Sequence, residues 1–223
     1  MDTSSRRAGL GLLAYGLGTP IAFMAIGSPG GDYIDSRVVA YMARGHWVAA
    51  SALAYLGIFA AVGFLVFAHD VRHRLGAAGD LLWALAVAGT SAAVVGWFLV
   101  GGISIAFAEG GAHMPAVPHG VVQLVAEMSN LVAVCASAFF IGVAAIVLAV
   151  AGGLPRPARI ATWVAGVCGV FAAAFFPAFL FWLWAIVLGS WMATRRRKTA
   201  SAAATRDESV VTRSATPARS ASG

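Results

Sequence analysis

The sequence predicts an all-α, polytopic membrane helix bundle of about six transmembrane helices, with both termini cytoplasmic. Three observations predict it. Five apolar blocks recur along the 223 residues, each close to or beyond membrane-spanning length. Each block is stopped by a small Arg/His cluster or a Gly/Pro-rich loop. Charged residues make up only 11% of the chain against 60% hydrophobic, with a mean hydropathy of +0.84, whereas soluble domains carry about a quarter charged residues.

A spanning helix needs about 20 apolar residues to cross a hydrocarbon core of about 30 Å. Residues 1–7 read as a cytoplasmic N-terminus carrying Arg6 and Arg7. The first span covers 8–26 and ends at Gly27-Ser28-Pro29-Gly30-Gly31. Pro20 lies within it, a break that neighbouring helices can absorb. A cleaved signal peptide is the rival reading of this segment, opposed by its length and by the lack of a clear A-x-A site.

The second span, 46–68, contains no charge and stops at His69-Asp70-Val71-Arg72-His73-Arg74. The third covers 81–107. The fourth covers 130–151 and is closed by Gly152-Gly153-Leu154-Pro155-Arg156-Pro157. The last block, 160–194, is too long for one crossing. Phe175-Phe176-Pro177 sits at its middle, and the residue before a proline is pushed out of helical geometry. The block therefore reads as a tight hairpin with spans 160–176 and 178–194, each short enough that the hairpin crosses fully or only in part. Residues 199–223 are Ala, Ser, Thr and Arg with few large apolar side chains, a composition expected to stay disordered in the cytoplasm.

Charge sets the count of crossings. With six spans, Arg6, Arg7, Arg72, Arg74, Arg156, Arg159 and the run Arg195-Arg196-Arg197-Lys198 all fall inside, while only Arg37 and Arg44 fall outside. Five spans would put the 195–198 run outside, against the positive-inside rule. The same placement accounts for the net charge of +6 and argues against nucleic acid, whose surfaces interleave basic, polar and aromatic residues. Arg195–Lys198 reads as a stop-transfer anchor that can also meet anionic headgroups. Cys135 and Cys168 lie in apolar blocks and read as small hydrophobes. The glycines, notably Gly9, Gly11, Gly16, Gly18, Gly166 and Gly169, offer close helix approach. Packing within one chain is the simpler reading, and a protein partner or homo-oligomer is the other.

Chemistry is sparse. His119, Gln123, Glu127 and Asn130 are spaced for one helical face, and polar groups inside a membrane are costly enough to point to a ligand site. The alternative places the stripe on an extension above the outer interface. His46, His113, His119 and Glu127, with Asp32, Asp35, Tyr41 and Glu109, form an outer pool of metal-capable side chains, yet no H-E-x-x-H or similar spacing joins them. On the inner side His69 and His73 are four apart beside Arg72 and Arg74, which fits headgroup contact better than a metal. No histidine lies deep enough to hold a haem, no phosphate loop or nucleophile elbow is present, and no cofactor is implied.

The leading functional expectation is a non-enzymatic, ligand-sensing or partner-binding component of the bacterial plasma membrane, with His119, Gln123, Glu127 and Asn130 as its recognition stripe. A membrane enzyme using the outer His/carboxylate pool, with or without a metal, is the second reading. A small transporter is the third, weakened because transporters place broken or polar segments near the midplane. Tyr55-Leu56-Gly57, Gly153-Leu154-Pro155-Arg156 and the close from Leu183 to Arg197 resemble the pattern of a broad, actinobacterial-type group of multi-spanning membrane proteins. That group has no established activity, so the resemblance implies topology and no functional residues.

Overall fold

In the computed structural model, residues 3–26, 46–110, 118–174 and 176–194 are described. Asp32, Asp35, Arg37, Tyr41, Arg44, His113, the 195–198 basic run and the 199–223 tail lie outside them. The described residues are helical, joined by short turns, with no strand among them. The helices are α1 (Thr3–Ala25), α2 (His46–Arg72), α3 (Ala77–Gly110), α4 (His119–Leu131), α5 (Ser137–Ala151), α6 (Arg156–Val170) and α7 (Phe176–Thr194). A π-helical turn, Val132–Ala136, joins α4 to α5 in one column, and a 3-10 turn, Ala172–Ala174, joins α6 to α7.

Five segments among the described residues are long and apolar enough to cross a membrane: α1, α2, α3, the α4–α5 column and α7. The perimeter agrees. Ile21, Met24, Phe59, Val95, Val150 and Leu183 stand more than half exposed, a girdle that a soluble monomer would not show to water. The protein is a multi-pass helical membrane protein.

The helices form a closed ring of six antiparallel columns. Successive columns pack side by side, and α7 returns against α1 to close it. The beginnings of α1, α3 and α6 and the ends of α2, α5 and α7 therefore share one end, the basic end, which carries Arg7, Arg72, Arg74, Arg156 and Arg159. Pro20 leaves α1 unbroken to Ala25.

Lipid tails are as apolar as leucine, so burial alone does not bring these helices together; close packing does. A Cβ on Gly11 would lie 2.5 Å from the Gly63 carbonyl oxygen, and one on Gly63 would lie 2.6 Å from that of Gly11. Gly9 and Gly189 make the same reciprocal contact between α1 and α7, at 2.8 and 2.9 Å. Gly142 packs against Gly166 and Gly169 between α5 and α6. The glycines singled out in the sequence thus face neighbours within the same chain.

Inside the ring an aromatic chain crosses from α7 through α1 to α2. Trp184 stacks on Phe181 at 5.4 Å, Phe181 meets Tyr15 edge-on at 6.1 Å, and Tyr15 meets Phe64 at 5.4 Å. At the basic end, Arg72 pairs with Asp80 at 2.7 Å across the α2–α3 turn, and Arg7 approaches Asp70 at 3.6 Å. Gly76 supplies the positive φ of 56° that this tight turn requires.

The last hairpin differs from its sequence reading in where it breaks. The helix ends at Val170, and Pro177 stands in the first turn of α7, a position where its missing N–H would be unpaired anyway. The 15-residue α6 is about 22 Å long, shorter than the hydrocarbon core. The Cys135 thiol donates to the Ala172 carbonyl oxygen at 3.3 Å. Cys135 lies near the middle of the α4–α5 column, about 24 Å from either end. The hairpin tip therefore stops halfway up that column, and α4 continues past it, packed chiefly on α3.

The seams make a direct test. Gly142→Ala puts a methyl group 2.7 Å from the Gly166 carbonyl oxygen and the Val170 nitrogen and should destabilise the bundle by about 1–3 kcal/mol. Gly102, whose Cβ would meet nothing within 4 Å, should gain about 0.5–1 kcal/mol on replacement by Ala. Thermal unfolding of both variants in the same detergent measures the two signs.

Candidate functional site

The polar stripe of α4 divides. Gln123 and Asn130 point into the bundle with 1% and 4% exposure, alongside Val122, Ala126 and Ser129. Glu127 is exposed, on the outward face with Leu124 and Met128. The reason is angular. At about 100° per residue, Asn130 falls about 20° to one side of Gln123 and Glu127 about 40° to the other, just past the edge of the buried arc. The four residues thus share a broad face in sequence, but the packed surface takes only part of it. The side chain of His119 lies outside the described residues.

The outer metal set is not brought together among the described residues. Glu127 is exposed, His113 and the side chains of His46, His119 and Glu109 lie outside the description, and no cluster of three metal-capable side chains occurs within it. At the basic end His69 and His73 meet edge-on at 5.6 Å, and His69 meets Trp83 at 5.8 Å. The Arg72 guanidinium lies 6.0 Å from the Trp83 ring. This is an aromatic and cationic patch at the helix ends, as interface residues form.

Among the described residues, a cleft between α6 and α7 has room for a ligand. It encloses about 580 Å³, within the range of small-molecule sites. The two helices join at the 3-10 turn, and their seam is the sparsest in the ring. The cleft is a consequence. Small residues, Ala158, Ala161 and Ala165, line one wall, and large ones, Leu180, Leu183 and Val187, line the other. Its floor is buried: Thr162 and Ala165 on α6, Trp184 and Leu188 on α7.

The floor offers little hydrogen bonding. The Trp184 indole N–H, that side chain's sole donor, donates to the Thr162 hydroxyl oxygen at 3.0 Å. Such a surface selects hydrocarbon over polar solutes. Arg156 and Arg159, both exposed, neighbour the lining residues Pro155, Pro157 and Ala158 in sequence, but neither lines the cleft. At about 100° per residue they fall on the sides of α6 turned away from it. The site is thus an apolar cleft toward the basic end of the bundle, with these arginines on other faces of the same helix.

Sequence reasoning missed this cleft because none of its lining residues is chemically conspicuous. The usable signal was a short helix opened by Pro155 and Pro157, with small residues repeating at Ala158, Ala161 and Ala165. No family model, curated protein or solved structure matches the chain, so the site stands on its own geometry.

The Thr162–Trp184 bond pins α6 to α7 across the cleft floor. Thr162→Val should cost about 1–3 kcal/mol by leaving the buried indole N–H unsatisfied. Adding Trp184→Phe should recover much of that loss, because both partners are then apolar. A double-mutant cycle on unfolding free energy checks the coupling.

Proposed function

We propose that this protein is a non-enzymatic, amphiphile-binding component of the plasma membrane, which holds one anionic lipid by its chain in the α6–α7 cleft. The observation that carries the reading is the apolar cleft of about 580 Å³, which lies toward the end of the bundle that also carries the exposed Arg156 and Arg159. The amphiphile site moves from the Gln123–Asn130 stripe to the opposite end of the bundle. The positive-inside bias supports placing the basic end at the cytoplasmic face, where anionic headgroups gather.

Energetics assign different roles to tail and head. A chain entering the cleft leaves lipid, not water, so it gains packing rather than hydrophobic free energy. Selectivity then rests on the head. Each arginine near an anionic surface contributes about 1 kcal/mol, so Arg156 and Arg159 together favour an anionic over a zwitterionic lipid by about thirtyfold.

Native mass spectrometry of protein taken from vesicles with equal phosphatidylglycerol and phosphatidylcholine of matched chains tests this. One phosphatidylglycerol should be retained in preference. Arg156→Gln with Arg159→Gln should erase the preference. Ala161→Trp, at an exposed wall position, should fill the cleft and abolish retention. Equal retention of both lipids in wild type, or retention undiminished by Ala161→Trp, would refute the reading.

A further inference from the structure

The cleft between α6 and α7 has a length as well as a volume, and the hairpin sets it. Along α7 its lining runs from Trp191 to Leu180, about 16 Å at 1.5 Å per residue. Along α6 it runs from Pro157 to Ala165, about 12 Å. Both spans come near half of a hydrocarbon core of about 30 Å, the depth of one leaflet.

The two ends differ. At the basic end α6 begins at Arg156 and α7 finishes at Thr194, and the cleft runs out between Pro157 and Trp191. Tryptophan is enriched at membrane interfaces, which puts this open end where a headgroup joins its chains. At the other end the two helices are continuous. α6 stops at Val170, and the Ala172–Ala174 turn leads into α7. The lining stops short of that turn, at Ala165 and Leu180. The covalent connection therefore closes the slot about halfway through the bilayer. Between the ends, Ala158, Ala161 and Ala165 recur on one face of α6. Their small side chains leave a straight furrow opposite Leu183 and Val187.

We infer that this slot measures acyl chains, with the Ala172–Ala174 turn as its end stop and Ala165 and Leu180 as the residues that set its length. The inference rests on the amphiphile reading above and names the part of the lipid that the site reads. An extended chain advances about 1.25 Å per carbon, the axial share of a C–C bond of about 1.5 Å. The slot therefore holds roughly 10–13 carbons. A shorter chain leaves lining atoms near the stop with no partner, and each lost contact forfeits dispersion energy. A longer chain meets the turn, and its last carbons bend out past the exposed Val164 and Leu180 side chains. There they touch only other lipid tails and add nothing to binding. Binding strength thus climbs with chain length and then levels off. A chain lying along an open helix face would meet no such limit.

Native mass spectrometry of the full-length protein reads this limit. The vesicles carry phosphatidylglycerols with saturated chains of roughly 8 to 18 carbons, in equal amounts within phosphatidylcholine. Retention should rise several-fold up to about 12 carbons and then stay level. Leu180→Trp, at an exposed wall position, fills the closed end and should move the plateau about four carbons shorter, the length of one helical turn. Ala165→Leu should do the same from the facing helix, so the outcome does not hang on one variant folding. Retention that climbs without a break to the longest chain would overturn the inference, as would a plateau that neither variant moves. In both cases, retention that Ala161→Trp still abolishes leaves the amphiphile reading standing. Retention that survives Ala161→Trp sinks both.

Discussion

The structure depends on glycine backbones meeting directly. In a membrane the usual hydrophobic gain between helices is absent, so contact must come from dispersion over closely matched surfaces. Gly11 on Gly63 and Gly9 on Gly189 bring α2 and α7 against opposite flanks of α1. Those two seams convert a linear run of helices into a ring. Once α1 is clamped on both sides, Tyr15 is fixed at the centre between Phe64 and Phe181, and the aromatic chain follows from that placement.

The same constraint explains where the ring is loose. α5 and α6 meet closely through Gly142, Gly166 and Gly169. α6 and α7 have no corresponding glycine pair. They are joined at the 3-10 turn and by the Trp184–Thr162 hydrogen bond, and part around the cleft between them. α6 is committed to α5 and α7 to α1, so neither can close the gap. A cleft open to lipid is thus the residue of two tight seams on either side of it, and its floor of alanine, leucine and tryptophan follows from the composition of a membrane helix.

Fold class was legible in the sequence because it rests on composition and length, which the bilayer reads directly. The glycines also spoke early, since Gly9, Gly11, Gly166 and Gly169 lie where helices must approach. Less was legible about the last hairpin. Pro177 marks a break, but the helix ends several residues earlier at Val170, because proline is welcome in a first turn. The α4 stripe shows the limit for sites. Spacing put Gln123, Glu127 and Asn130 on one broad face, but only the neighbouring helix decides which part of that face is buried. The cleft was not legible, because it arises from how two helices diverge, and no residue type announces divergence.

Central to the proposed function is a lipid chain seated in the cleft between α6 and α7. A phosphatidylglycerol carrying a photoactivatable diazirine in its acyl chain would test it most directly, with the protein in bilayers and the cross-linked residues mapped by mass spectrometry. The account predicts adducts concentrated on Val164, Leu180, Leu183 and Val187. Adducts spread evenly around the girdle, with Ile21 and Phe59 labelled as strongly as the cleft walls, would contradict it.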